Sequence, residues 1–132
     1  MNIDDLYQAA LTAKEKAYAP YSKFKVGAAI IDENGQVHSG CNVENAAYPL
    51  GCCAEQSAVS QMIINGGSTI QHILIVGKSG ESCPPCGACR QIIFEHGNKN
   101  TQVHLESQNG SFDQKNIFDL LPEAFDHLQL DK

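Results

Sequence analysis

The chain of 132 residues is 42% apolar and 18% charged, proportions that give one globular domain over residues 1–132 and exclude extended disorder. Nine Lys and Arg against fifteen Asp and Glu leave a formal charge of −6, and Arg90 is the only arginine, which speaks against a protein that tracks a phosphate backbone. No apolar run approaches the roughly 20 residues that cross a bilayer. The acidic, amphipathic start MNIDDLYQAA lacks the layout of a secretory signal, so the expected location is the cytoplasm and the expected partners include neither nucleic acid nor membrane.

Residues 3–17 carry Ile3, Leu6, Tyr7, Ala10, Leu11 and Ala17 at helical spacing. Asn2 is placed to cap this helix, Asp4 and Asp5 suit its positive end, and Pro20 stops it. Residues 24–31 read as a strand and 36–40 as its partner. Asn34-Gly35 between them is a hairpin signal, because both positions tolerate positive φ. Residues 41–52 have no clear period and read as loop. Helical spacing returns over 53–64, with Ala54, Ala58, Val59, Met62 and Ile63 on one side, and Asn65-Gly66-Gly67 ends it. Residues 70–77 (IQHILIVG) form a nearly unbroken apolar run suited to a central strand. Pro84-Pro85 precedes a short helix over 87–96, closed by Gly97, and residues 101–106 make a further strand. Asn109-Gly110 marks a second turn, ahead of a β/α tail with a short helix over 117–121 before Pro122. Helices between strands imply crossover connections and a three-layer α/β/α sandwich around a mixed sheet of about five strands.

Six cysteines in a cytosolic chain call for an explanation other than disulfides. Cys53-Ala54-Glu55, followed by Pro85-Cys86-Gly87-Ala88-Cys89, places Cys53 and Cys86 at the first turns of two helices and Cys89 on the same face as Cys86. Helix starts stabilise thiolates, and three thiolates favour zinc with a fourth position left for water. Glu55, two residues past a ligand, stays near the metal without sharing it, where a carboxylate can shuttle protons. An x-E element followed by P-C-x-x-C is a recognised signature of zinc nucleobase deaminases. A closed site with Cys52 or Cys83 as a fourth ligand is the alternative for the sulfurs. By itself, Glu55 would be a surface glutamate at a helix's positive end. Cys41 reads as a small buried residue, and none of His38, His72, His96, His104 and His127 has the spacing of a helical zinc motif.

The stretches AYAPYSKFKVGAA (17–29), GCNVENAAYPLGCCAE (40–55), PCGACRQ (85–91) and LLPEAF (120–125) resemble the small homotetrameric cytidine deaminases. The resemblance implies that family's three-layer fold and hydrolysis of cytidine and deoxycytidine to uridine and deoxyuridine with loss of ammonia. It also implies one Zn2+ per subunit on Cys53, Cys86 and Cys89, with Glu55 as the proton shuttle. Asn42 and Glu44 would hold the ribose hydroxyls, Phe24 would lie against the base, and Ala54 would line the same site. Ala46, Tyr48 and Phe125 would come from neighbouring subunits. Read without the likeness, Asn42, Glu44 and Asn45 are turn formers, Phe24 opens a strand as core, and Phe125 is an ordinary core anchor in a tail where a subunit interface is also plausible. A loop without Arg, Lys or a glycine-rich cradle favours a nucleoside over a nucleotide.

One position departs from the likeness. Family members with three cysteine ligands usually carry arginine after the glutamate, where this chain has Gln56, so charge compensation falls to helix starts, backbone N–H groups or Arg90. The expectation is a more electron-rich site, whose acidic pH–rate limb Gln56→Arg would move downward. Two other readings stay open: a deaminase of a nucleoside antibiotic such as blasticidin S, and a non-enzymatic closed zinc module.

Overall fold

The computed structural model describes residues 1–78 and 80–130. Helix α1 (Ile3–Glu15) leads into strands β1 (Gly27–Asp32) and β2 (Val37–Cys41), then α2 (Ala54–Ile64) and β3 (Ile70–Val76). Helix α3 (Gly87–Glu95), β4 (Gln102–Glu106), β5 (Phe112–Asn116) and α4 (Ile117–Leu120) complete the order. The five strands lie in the sequence β2-β1-β3-β4-β5. The β3–β4 pair is parallel and every other pair antiparallel, so α3 is the crossover that parallel neighbours require. The sheet is mixed, as expected.

Alternation along the strands divides the apolar residues between two layers. Ala29, Leu74 and Val76 face Leu6 and Ala10 of α1, while Ala28, Ile30, Ile73, Ile75, Val103 and Leu105 pack with Ala58, Met62 and Ile93 of α2 and α3. Two buried cores, one on each side of the sheet, make the three-layer sandwich. Asn2 caps α1 as expected, its side chain accepting from the Asp4 N–H at 2.9 Å. Close approach also needs Gly40, where a Cβ would come within 2.3 Å of the Ala58 nitrogen; its absence lets α2 lie directly on β2.

Three local differences have physical reasons. The first strand begins at Gly27 rather than at residue 24, because the Val26 N–H and the Phe24 carbonyl bond the Asn42 side chain instead of a neighbouring strand. In the β1–β2 hairpin only Gly35 takes positive φ (78°). Asp32 makes a longer turn there by accepting from the N–H groups of Asn34 and Gln36, so the turn uses glycine alone in the left-handed region. The loop over 41–52 holds a 3-10 turn at Tyr48–Leu50 and is tied down by bridges Tyr18↔Val43 and Val43↔Cys52. Among the described residues no helix is long and apolar enough to cross a membrane.

Candidate metal centre

The cleft forms where α2 and α3 begin. Cys53 precedes α2 with extended backbone (φ −81°, ψ 160°), and Cys86 precedes α3 in the same way (φ −67°, ψ 171°). Both stand one position outside the helices, as N-caps rather than first-turn residues. Cys89 lies in the first turn of α3 and is buried. The three sulfurs fall within 4.8 Å of one another. Tetrahedral zinc with bonds of about 2.3 Å holds its sulfurs about 3.8 Å apart, so the donor set fits the ion with slight closure. Among the described residues this is the only cluster of three or more Cys, His, Asp or Glu ligand atoms so gathered. Cys52 and Cys83 line the cleft outside the cluster, which leaves the closed four-cysteine arrangement without its fourth sulfur.

Electrostatics differ among the three. Burial pushes the Cys89 and Cys53 thiols up, and the nearby Glu55 carboxyl adds to the shift of each. Cys86 moves the other way: the backbone N–H of Cys89, then the Cys89 side chain and the Ala88 N–H, hold it below the ordinary thiol range against burial. At Cys53 no side-chain capping hydrogen bond forms, so the start of α2 acts on that sulfur as a dipole, whereas the start of α3 reaches Cys86 through its own N–H groups. Glu55, in the first turn of α2, is only 5% exposed, and burial raises its carboxyl above the usual range. It is therefore not the solvated helix-end glutamate that its position alone would suggest.

The cleft, about 370 Å³, is lined by the three sulfurs with Ala54, Glu55, Asn42, Glu44 and Tyr48, all singled out in the sequence. Among the described residues its lining contains no Lys, Arg or His. In the same lining, Asn42 and Glu44 are engaged by the segment over 18–26. Asn42 Oδ1 accepts from the Val26 N–H at 2.9 Å, and its Nδ2 donates to the Phe24 carbonyl at 2.9 Å. Glu44 Oε1 accepts from the N–H groups of Tyr21 and Ser22 at 3.0 and 3.1 Å, and Oε2 from the Ser22 hydroxyl. Each still keeps one group unused by these contacts: a second N–H on Asn42 and further acceptor capacity on Glu44 Oε2.

Other sequence candidates lie outside the lining. Phe24 is 45% exposed on the segment before β1, its ring edge beside Gly77, and is not the core residue that its strand position suggested. Phe125 is likewise exposed rather than a core anchor, with its carbonyl accepting from Gln91 Nε2 at 2.7 Å. Ala46 is exposed in the 41–52 loop, whereas Tyr48, on the same loop and largely exposed, belongs to the lining already described. Gln56 is exposed, and its side chain makes no hydrogen bond to the sulfurs. Arg90 donates to the carbonyls of Pro85 and Leu120 at 2.9 and 3.0 Å, a packing and bracing role. Cys41 is half-buried. Val26, Val43, Gly51, Cys52, Cys83 and Pro84 complete the cleft without having been assigned to its wall. The overlapping Cys83-x-x-Cys86 spacing marked Cys83 only as a spare ligand. Burial and then the Glu55 charge raise its thiol, with Lys14 opposing, and it shares the cleft lining with Glu55.

These features point to a deaminase-type metal centre on an α/β sandwich. Residues 1–105 match the model of the cytidine and deoxycytidylate deaminase zinc-binding region. Over 125 residues the chain is 38% identical to the cytidine deaminase of Sporosarcina psychrophila, covering 95% of this chain and 92% of that protein. It is 40% identical to the cytidine deaminase of Halalkalibacterium halodurans over 120 residues, 91% of each. The crystal structure of cytidine deaminase from Burkholderia pseudomallei superimposes with a TM-score of 0.87 at 44% identity, covering 95% of this chain and all of that one. The chain belongs to the cytidine deaminase family.

Proposed function

We propose that this chain hydrolyses cytidine and deoxycytidine to uridine and deoxyuridine with release of ammonia, as a pyrimidine-salvage enzyme of the cytoplasm with one Zn2+ per subunit. The observation that carries the reading is the buried Glu55 carboxyl beside three clustered sulfurs at two helix starts. Held by Cys53, Cys86 and Cys89, zinc would supply the Lewis acidity that makes water a nucleophile near neutral pH. Glu55 would take a proton from the attacking water and deliver it to N3 as oxygen joins C4. Through the same carboxylate the second water proton would reach the amino nitrogen, so that the C4–N bond breaks and ammonia leaves. Burial suits Glu55 to this, since a carboxyl raised above its usual range holds the proton between the two transfers.

Asn42 and Glu44 would meet the sugar with their remaining donor and acceptor, a pair that matches a hydroxyl group. A lining without Lys, Arg or His among the described residues favours an uncharged sugar over a phosphorylated one. Phe24 would contact the base, and Ala54 would contribute to the same wall. Large apolar side chains exposed near the cleft and on the tail, Tyr48 at 78%, Leu50 at 73% and Phe125 at 57%, support a homotetramer in which Ala46, Tyr48 and Phe125 enter neighbouring sites. The test combines zinc analysis, light scattering and ultraviolet assays on cytidine, deoxycytidine and blasticidin S. Zinc near one per chain with turnover of the first two supports the assignment; turnover of blasticidin S alone replaces it, and a monomeric active enzyme removes the shared sites.

A further inference from the structure

Building on that reading, we infer that Ser22 is a positioning residue for sugar recognition: its hydroxyl fixes the Glu44 carboxylate and the Phe24 backbone in one arrangement, so that Glu44 meets a sugar hydroxyl already oriented. Ser22 lies in neither helix nor strand, in the exposed turn ahead of β1. Its hydroxyl proton goes to Glu44 Oε2, and its oxygen accepts from the Phe24 N–H at 3.0 Å. Its own N–H, with that of Tyr21, occupies Glu44 Oε1. One side chain thus links the acid proposed to contact the sugar with the residue proposed to contact the base.

A second observation comes from the backbone itself. Lys23, between Ser22 and Phe24, has φ 62°, in the left-handed region that a lysine adopts only at a cost. Such backbone persists where its surroundings over-determine it, and it clusters at ligand sites. Here the Lys23 N–H donates to the Ala19 carbonyl at 3.0 Å on one side, while Ser22 Oγ holds the Phe24 N–H on the other. Glu44 titrates below the ordinary carboxyl range, with the Ser22 side chain as the largest cause, so it faces the sugar as an anion. A carboxylate held in place before substrate arrives loses little freedom on binding, which strengthens recognition without touching the chemistry. Alanine at this position would release Oε2 and leave the Phe24 N–H to water.

The test compares wild type, Ser22→Ala and Ser22→Thr on cytidine and on 2′,3′-dideoxycytidine, which lacks both ring hydroxyls. Ser22→Ala is expected to raise KM for cytidine about tenfold, the factor that goes with losing one hydrogen bond to a charged group, with kcat and zinc content unchanged. On the dideoxynucleoside the same variant should change KM less than twofold, and Ser22→Thr, which keeps the hydroxyl, should restore the cytidine value. A carbon-13 titration of the Glu44 carboxyl reads the anchor without substrate and should move upward in Ser22→Ala. Unchanged KM on cytidine, an equal loss on both nucleosides, or an unmoved Glu44 titration would each overturn the assignment. A wild type inert toward cytidine would instead refute the proposed function, while the titration still decides whether Ser22 anchors Glu44.

Discussion

The two walls of the cleft are built by different means. The sulfur wall stands on the starts of α2 and α3, whose inner faces are part of a continuous core with Ala54, Ala58, Met62 and Ile93 fully buried. The other wall, residues 18–26 against 42–44, meets that core through Val26; backbone bonds from Tyr18 and Val26 to 42–44, together with side-chain to backbone bonds from Asn42, Glu44 and Ser22 at mostly exposed positions, hold the rest. Chemistry thus sits on packed elements that keep reacting groups fixed, and recognition on a loop held by replaceable hydrogen bonds. Changes on the first wall should therefore affect turnover or metal, and changes on the second should affect substrate affinity.

The sharpest break in that division is Glu55→Ala. It removes a proton carrier from the rigid wall without removing a ligand, so zinc content should hold while kcat falls by about four orders of magnitude. Metal analysis alongside steady-state rates checks both halves, and wild-type-like turnover would falsify the assigned role. A second experiment asks whether acid sensitivity arises in the cleft at all. His72 Nδ1 and His104 Nε2 lie 3.0 Å apart on the α1 side of the sheet, away from the sulfurs. Burial, and then the neighbouring His72, push His104 down from 6.5 to about 4; burial and the chain's amino terminus lower His72. A histidine depressed on folding stabilises the protein fully above its unfolded pKa, and that stability drains away as pH falls through the window between 6.5 and 4. For His104 the loss from pH 7 to pH 5 is about 2 kcal/mol, and urea melts of His104→Gln should show a pH dependence smaller by that amount. An unchanged acid slope would move the origin of the sensitivity elsewhere.

On the recognition wall, Asn42→Ala deletes the bonds to Val26 N and the Phe24 carbonyl together with the donor offered to the sugar. The expected result is a kcat/KM lower by roughly tenfold, carried mainly by KM, with faster amide exchange over 24–26. A fall confined to kcat would mean that the two walls are not separable.

How legible the protein was in its sequence follows the same division. The helices over 54–64 and 87–95 and the apolar strand over 70–76 are fixed by local period and by Gly or Pro punctuation, and the sulfur cluster follows from the helix starts. Glu55's burial was not legible, since one turn of helix shows its spacing but not what packs over it. Phe24 looked like a core residue because apolar character at a strand's start is ambiguous; the Asn42 side chain, 18 residues away, takes the hydrogen bond that would otherwise extend the strand. Ser22 carried only the weak signal of a hydroxyl in a Pro-Tyr-Ser-Lys turn. Long-range side-chain to backbone bonds leave no periodic trace, so the recognition wall was the harder half to read.

The smallest expected effect concerns charge at the rigid wall. Loading zinc replaces thiol protons and takes the cluster from neutral to a formal −1, three thiolates against a divalent ion. Among the described residues no Lys, Arg or His lines the cleft to meet that charge, and Arg90 is committed to the Pro85 and Leu120 carbonyls. Helix starts and the more distant Lys14 charge are left to offset it, and the backbone N–H groups at the start of α3 already hold the Cys86 thiol below its ordinary range. Gln56, exposed one residue past Glu55, is where a cation can be added without disturbing the core. Gln56→Arg should favour the loaded form over the empty one, tightening zinc in a chelator competition. An exposed ion pair contributes at most about 1 kcal/mol, so the gain should stay within about fivefold. A larger gain would mean that the helix starts leave most of the charge unbalanced; weaker zinc binding would mean that the arginine competes with the metal for the sulfurs instead of compensating it.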